Sequence, residues 1–125
     1  MKLISFVIPC YRSEQTIEGV VEEINSVCQG IMEGYDHEII LVNDCSPDNT
    51  ISVIKSLCDK YSFITGIDFA RNFGQHSALM AGLRESKGDI VICLDDDGQT
   101  PPSECVKLIK ALEDGADVAY ARYSH

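Results

Sequence analysis

Basic residues are scarce in this sequence. Ten lysines and arginines stand against twenty aspartates and glutamates, which gives a formal net charge of −10 at pH 7. A protein that binds nucleic acid by neutralising phosphates carries the opposite balance, so the composition argues against DNA or RNA as the main ligand. An acidic chain that binds a phosphorylated ligand needs a compensating positive charge, and a divalent cation can supply it.

Paired cysteines and long apolar runs are also missing. The six cysteines form no CxxC pair, and no cysteine–histidine cluster has the spacing of a zinc site. We therefore expect a reduced, cytoplasmic domain rather than a disulfide-linked scaffold. The N-terminal apolar stretch is shorter than the roughly 7–15 residues of a secretory signal, and no later stretch reaches the roughly 20 residues of a membrane span.

Two glycine-rich phosphate-binding motifs are absent as well. The sequence contains no GxGxxG, the fingerprint of dinucleotide-binding proteins, and no GxxxxGK[ST], the P-loop. A nucleotide bound by this chain would therefore be held by carboxylates, a metal ion and a base pocket rather than by a glycine cradle.

The 125 residues alternate between short apolar runs and segments of helical periodicity, which predicts an α/β domain with a mostly parallel sheet. The third strand contains Gly66, which favours a place near the sheet edge. Helix starts are predicted at Ser13, at Ser46–Pro47 and at Thr100–Pro101. Another helix presents small residues, which let it lie close to the sheet, and is predicted to end at Gly88. The predicted strands cover residues 3–8, 38–42, 63–69, 89–94 and 118–120.

Polar residues follow three of these strands, where parallel α/β sheets bind ligands. Residues 9–12 follow the first strand, 43–46 the second and 95–99 the fourth. Three consecutive aspartates repel one another and suit a hard divalent cation, which prefers oxygen ligands. The alternation of side chains along a strand would place Asp95 and Asp97 on one face and Asp96 on the other. The competing interpretation is a solvated acidic turn.

Four sequence blocks resemble glycosyltransferase family 2. They are FVIPCYRSEQTI (6–17), EIILVNDCSPDNT (38–50), RNFGQHSALMAGL (71–83) and GDIVICLDDDGQTPP (88–102), and they occur in the family's order. The resemblance is closest to the branch that loads a sugar onto a polyprenyl phosphate, such as the dolichol-phosphate mannosyltransferases and the undecaprenyl-phosphate aminoarabinose-type transferases. It implies the three-layer α/β/α GT-A fold.

The resemblance also implies roles for individual residues. Asn43 stands where many members have a second aspartate, and Gly98 replaces a usual leucine. By position, Pro9 and Tyr11 would pack on the nucleobase, and Asp44 would hydrogen-bond it. The nucleotide-binding residues implied are Pro9, Tyr11, Glu14, Asp44, Arg71, Asp95 and Asp96, and the metal ligands implied are Asp95, Asp97 and Gln99, for Mg²⁺ or Mn²⁺.

The implied reaction moves a sugar from a nucleoside diphosphate to an acceptor, with the metal stabilising the leaving diphosphate. The third block favours a UDP-sugar, with a GDP-sugar as the alternative, and the acceptor expected is a polyprenyl phosphate. The catalytic base stays unassigned. We expect residues 1–125 to form one donor-binding domain that ends after the fifth strand, without the acceptor half and membrane helices that family members carry. A full-length parent is then expected at the cytoplasmic face of the membrane.

The sequence is also compatible with two alternatives to a glycosyltransferase. A receiver-type signalling domain has five parallel strands and an acidic Mg²⁺ cluster, but it needs acids after its first strand, where this chain has Cys10–Tyr11. A non-catalytic nucleotide-binding module is the second alternative. We further expect the 125-residue chain to bind a nucleotide without transferring a sugar, and to self-associate through an uncovered apolar face as a homo-oligomer.

Overall fold

The computed structural model describes residues 2–30, 35–97, 104, 107, 109 and 119–120. Within them the chain alternates strands and helices, as the sequence predicts. The elements are β1 (Lys2–Cys10), α1 (Ile17–Gly30), β2 (Tyr35–Asn43), α2 (Thr50–Lys60), β3 (Ile64–Asp68), α3 (Gln75–Glu85), β4 (Ile90–Cys93) and β5 (Ala119–Tyr120).

The five strands form one sheet in the order β3-β2-β1-β4-β5, and each of its four neighbouring pairs is parallel. The predicted parallel α/β architecture is therefore confirmed, as is the place of β3 at an edge. Gly66 in β3 also makes room for α2, because a Cβ there would come within 2.9 Å of Ile54 Cγ2. Its missing side chain lets α2 pack closely on this edge strand.

The core lies on both faces of β1, the middle strand. Ile4, Phe6 and Ile8 pack in one buried cluster with residues of α1 and α2, whereas Val7 packs in a second cluster with Ala78 of α3. Alternate side chains of a strand point to opposite faces, so a strand covered on both faces reads as a continuous apolar run. The three layers are thus α1 and α2, the sheet, and α3.

Helix α3 approaches the sheet closely because its inner face carries small residues. Ala78 and Gly82 are buried, and a Cβ on Gly82 would lie only 2.3 Å from Val7 Cγ1. The predicted role of the small residues in this helix is confirmed. The close approach determines the distance between α3 and the sheet. It therefore also determines where the N-terminus of α3 lies at one end of the sheet.

Three predicted helix boundaries are wrong. Helix α2 begins at Thr50 rather than at Ser46–Pro47, because side chains hold the preceding residues in a loop: Asn43 Oδ1 accepts from the Ser46 N–H at 3.2 Å and Asp48 Oδ1 from the Thr50 N–H at 3.1 Å. Helix α1 begins at Ile17, about one turn later than predicted, although the Ser13 carbonyl accepts from the Thr16 and Ile17 N–H groups at 3.1 and 3.0 Å, as the carbonyl before a helix does.

The third boundary concerns the end of α3. The helix stops at Glu85 and not at Gly88, where a Cβ would lie 2.4 Å from Ser5 Oγ. Gly88 therefore serves a close contact with β1 rather than the helix end. Most of the predicted fourth helix, with its start at Thr100–Pro101, lies outside the described residues, although Ile109 is described and is buried. No helix among the described residues is both long and apolar enough to cross a membrane.

Candidate functional site

A cleft of about 280 Å³ opens at the carboxyl ends of the central strands. The loops after β1, β2 and β4 and the N-terminus of α3 form its walls. In parallel sheets this edge binds ligands, at the point where successive connections leave the sheet in opposite directions; here β1 lies between β2 and β4. The lining residues are Pro9, Cys10, Tyr11, Asp44, Asn72, Gly74, Gln75 and Asp96.

Four of the sequence-predicted nucleotide-binding residues line this cleft: Pro9, Tyr11, Asp44 and Asp96. They come from the carboxyl ends of three strands and the loops that follow, which are far apart in the sequence, and the parallel sheet brings them together. The remaining predicted residues lie elsewhere or outside the described part of the chain.

Asp44 lies at the base of the cleft with only 4 % of its surface exposed. Its Oδ1 accepts a hydrogen bond from the Phe73 N–H at 2.8 Å, and its Oδ2 accepts one from the Gly74 N–H at 3.0 Å. These N–H groups lie at the start of α3, where a negative charge is favourable because of the helix dipole. Asp44 therefore fastens the end of β2 to the beginning of α3, in addition to any contact with a ligand.

Asp96 connects β4 to the loop after β1. Its Oδ2 accepts a hydrogen bond from the Tyr11 N–H at 2.8 Å, and its backbone carbonyl accepts one from Thr16 Oγ1 at 2.7 Å. Burial raises the pKa of the Asp96 carboxyl above its ordinary value, because the charged form loses water there, and the hydrogen bond from Tyr11 offsets part of the rise.

The aspartate triplet does not follow the strand alternation predicted for it. Strand β4 ends at Cys93, so Asp95, Asp96 and Asp97 lie in the turn beyond it, and the pleat does not set their directions. Asp95 is half-buried and Asp97 is exposed, whereas Asp96 is turned toward Tyr11.

Two carboxylates of this turn are the candidates for a metal site. Mg²⁺ is commonly held by one or two carboxylates together with phosphate oxygens of the substrate, so Asp95 and Asp97 fit such an ion in number and chemistry. Gln99, the third predicted ligand, lies outside the described residues. Within residues 2–30 and 35–97 and the few described positions beyond, no group of three or more histidine, cysteine, aspartate or glutamate side chains is arranged to hold a metal ion.

Arg71 and Glu14 do not line the cleft. The Arg71 guanidinium lies 5.7 Å from the centre of the Phe73 ring, and its side chain is exposed. Glu14 is half-buried, and its backbone N–H lies 3.5 Å from Asp48 Oδ2. Their predicted contacts with a nucleotide stay predictions.

Sequence reasoning assigned no role to Cys10, Asn72, Gly74 or Gln75, although Cys10 lies in the strand-end segment 9–12 that it singled out. Burial raises the pKa of the Cys10 thiol, and the nearby Asp96 raises it further, so this thiol is protonated at neutral pH and is not an activated nucleophile. The other three stand in the block at 71–83, where the family resemblance assigns a role to Arg71 alone. The sequence feature that marks them is the Asn–Phe–Gly turn before α3, in which Gly74 has a φ of 96°.

The family model described as glycosyl transferase family 2 matches residues 5–125. Relatives include undecaprenyl-phosphate 4-deoxy-4-formamido-L-arabinose transferases of Serratia proteamaculans and Yersinia pestis, each 39 % identical over 119 residues. Each alignment covers 94 % of this chain and 36 % of the relative. The chain therefore spans about a third of the length of these curated relatives.

Solved structures also resemble this fold. Staphylococcus aureus TarS 1–349 in complex with UDP is 25 % identical with a TM-score of 0.66, over 91 % of this chain and 32 % of that one. Glucosyl-3-phosphoglycerate synthase of Mycobacterium tuberculosis is 25 % identical with a TM-score of 0.67, over 89 % and 40 %. The mannosyltransferase PcManGT of Pyrobaculum calidifontis, solved with GDP-Man and Mn²⁺, is 22 % identical with a TM-score of 0.67, over 84 % and 30 %. The GT-A fold expected from the sequence is thereby confirmed.

Proposed function

Because the chain belongs to glycosyl transferase family 2, we propose that its cleft binds the nucleoside diphosphate of a sugar donor. One observation carries the proposal: the parallel sheet gathers Pro9, Tyr11, Asp44 and Asp96 around a single cavity. The receiver-type alternative is set aside, since the family match spans nearly the whole chain.

The donor we propose is a UDP-sugar. The third sequence block favours it, and TarS, a structural neighbour at 25 % identity, was solved with UDP. Asp44 would accept the imide N–H of uracil, while Pro9 and Tyr11 would pack against the ring. A GDP-sugar is the alternative, and a comparison of nucleotide sugars in a binding experiment separates the two.

A divalent cation, Mg²⁺ or Mn²⁺, is the second part of the proposal. The chain carries a net charge of −10, and the aspartates of the turn after β4 would repel an unaccompanied diphosphate. Asp95 and Asp97 would hold the ion together with the phosphates, and Gln99 would be a further ligand. When bound, the ion acts as a Lewis acid that stabilises negative charge on the departing diphosphate.

The acceptor we propose is a polyprenyl phosphate. Relatives at 39 % identity are named for transfer that involves undecaprenyl phosphate. A phosphate acceptor is already anionic, so its attack on the sugar does not require a general base among the described residues. The parent protein would then work at the cytoplasmic face of the membrane, where such lipids present their phosphates.

The binding experiment is a thermal-shift panel of UDP-, GDP-, CMP- and dTDP-sugars on the 125-residue chain, with Mn²⁺ or with EDTA. A ligand at one hundred times its Kd stabilises a folded protein by about 2.7 kcal/mol, which raises the melting temperature by several degrees. We expect the largest shift with the UDP-sugar and Mn²⁺. A panel in which no nucleotide sugar shifts the transition would contradict the proposed function.

A transfer assay distinguishes a sugar transferase from a non-catalytic nucleotide-binding module. Radiolabelled UDP-sugar and undecaprenyl phosphate are supplied to the 125-residue chain and, in parallel, to the full-length parent. We expect the parent to transfer the sugar and the 125-residue chain to bind the nucleotide without transferring the sugar. Binding by the chain without transfer by the parent would favour a nucleotide-binding module instead.

A further inference from the structure

We propose that Gln75 is the residue that supplies a hydrogen-bond donor to the nucleobase and so selects uracil over cytosine. The inference rests on the proposed function, because it assigns a role within the same cleft. Gln75 is the first residue of α3, lines the cleft beside Asp44 and Gly74, and has an exposed side chain.

Asp44 alone cannot recognise the whole edge of uracil. An ionised carboxylate only accepts hydrogen bonds, and both oxygens of Asp44 already accept one each, from the Phe73 and Gly74 N–H groups. Its remaining lone pairs can accept the imide N–H of uracil. The two carbonyl oxygens that flank this N–H need a donor, which Asp44 does not have.

The other donors near Asp44 are held by contacts within the protein. The Asn72 amide donates one of its two Nδ2 hydrogens to the Asp44 carbonyl at 3.2 Å, and its Oδ1 accepts from the Gly74 N–H at 3.1 Å, so its orientation is fixed on the protein and one hydrogen remains. The Tyr11 N–H donates to Asp96. Among the hydrogen bonds between described residues, none uses the Gln75 amide, so its NH₂ group remains available to the base.

The backbone of Gln75 is firmly positioned, which a specificity residue requires. It follows Gly74, which Asp44 fixes, and it begins a helix that Ala78 and Gly82 hold against the sheet. The Gln75 side chain can therefore extend into the cleft from a backbone position that does not shift. The amide NH₂ would donate to the 4-carbonyl of uracil, next to the imide N–H that Asp44 accepts and at the position where cytosine carries an amino group.

The test compares UDP and CDP binding by calorimetry in the presence of Mn²⁺, for the unmodified chain and for Gln75→Leu. The loss of one hydrogen bond to the base should weaken UDP binding roughly tenfold, with a smaller effect on CDP. Gln29→Leu is the matched control, because Gln29 is an exposed glutamine on α1 away from the cleft. This control should bind both nucleotides as the unmodified chain does.

Gln75→Glu is the second variant, of nearly the same shape. It keeps an acceptor, loses the NH₂ donor and adds a negative charge that weakens both diphosphates equally. Because cytosine presents an amino group where uracil presents a carbonyl, the ratio of UDP to CDP affinity should fall or reverse in Gln75→Glu. This ratio keeps the test valid even where a variant changes the overall affinity.

The outcomes distinguish the two proposals. Failure of the unmodified chain to bind UDP would overturn the proposed function and the role of Gln75 with it. Binding of UDP with an unchanged UDP-to-CDP ratio in both Gln75 variants would overturn the role of Gln75 alone.

Discussion

The carboxylate of Asp44 accepts a hydrogen bond from the backbone N–H of Gly74 at 3.0 Å, across thirty residues of sequence. This bond joins the end of β2 to the start of α3, and the Phe73 N–H donates a second hydrogen bond to the same carboxylate. Asp44, which the family resemblance assigns to the nucleobase, therefore also stabilises the fold by connecting β2 to α3. Its two roles predict two separable losses on mutation.

We expect Asp44→Ala to destabilise the fold by about 1–2 kcal/mol, because the Phe73 N–H loses its acceptor and the Gly74 N–H keeps only Asn72 Oδ1. The same change should weaken UDP binding and narrow its advantage over CDP. Urea denaturation measures the first effect and calorimetry the second. Asp59→Ala, which removes an exposed aspartate on α2, should change stability by less than about 0.5 kcal/mol. Equal stability of the two variants would show that the hydrogen bonds of Asp44 contribute little.

Asp97→Asn should abolish the Mn²⁺-dependent part of UDP binding and leave the fold intact. The side chain is exposed, so its replacement by an isosteric amide changes its charge and its affinity for a cation rather than the packing. Calorimetry with Mn²⁺ and with EDTA isolates the metal-dependent part, and Asp59→Asn is the matched control. Identical Mn²⁺-dependent affinity in Asp97→Asn and in the unmodified chain would refute the assignment of Asp97 as a ligand.

Gly82→Ala should destabilise the protein by about 1–3 kcal/mol, because the new methyl group would overlap Val7 Cγ1. Val7→Ala in the same chain should recover part of this loss, since it removes the atom that collides. Gly19→Ala is the control: Gly19 lies in α1, where an added Cβ would meet nothing within 4 Å, and alanine there should stabilise the helix by about 0.5–1 kcal/mol. Additive effects of the Gly82 and Val7 changes in urea denaturation would exclude the predicted collision.

His37→Phe should stabilise the protein and reduce its sensitivity to mild acid. The His37 ring lies 4.5 Å from that of Phe63, and its buried Nε2 has no hydrogen-bond partner among the described residues. Burial lowers the pKa of His37 below its ordinary 6.5, against an opposing effect of Asp36.

The sign of the pH effect follows from this lowered pKa. As the pH falls below 6.5, the unfolded chain takes up a proton at His37 before the folded chain does, so stability is lost until the pH passes the lowered folded pKa. The midpoint of urea denaturation, measured at a series of pH values from about 7.5 down through mildly acidic pH, reports this loss of stability. His37→Phe should flatten this dependence, whereas substitution of the exposed His76 by glutamine should not. An unchanged slope in His37→Phe would disprove the prediction.

Much of the fold could be predicted from the sequence because its pattern is local. The apolar run of β1 and the small residues of α3 reflect burial on two faces and a close helix–sheet contact. Helix starts were less predictable, because Asn43 and Asp48 compete with the helix for backbone groups and shift its start to Thr50. Such side-chain competition depends on the geometry of the loop, which composition does not reveal.

The candidate site was only partly predictable for a related reason. Asp44 and Asp96 could be found because they lie just beyond the carboxyl ends of β2 and β4, where the fold class places ligands. Gln75 could not, since its place in the cleft depends on how close α3 lies to the sheet and on the contact between Asp44 and Gly74. Arg71 is implied by its position in a family block, yet it lies over Phe73 outside the cleft walls.

The strand order also limits which strand pairs can form while the chain is being synthesised. Strand β1 can pair with β2 soon after both emerge, since Lys2 aligns with Tyr35, but its other side waits for β4, where Ile4 aligns with Ile90. Until then the nascent chain exposes an open edge of β1, and an unpaired strand edge is prone to aggregation. The hydrogen bond from Tyr11 to Asp96 spans 85 residues and forms only after this delay. The binding cleft therefore cannot form during synthesis before β4 and the turn that carries Asp96 have left the ribosome, because Asp96 and Tyr11 form one wall of it together.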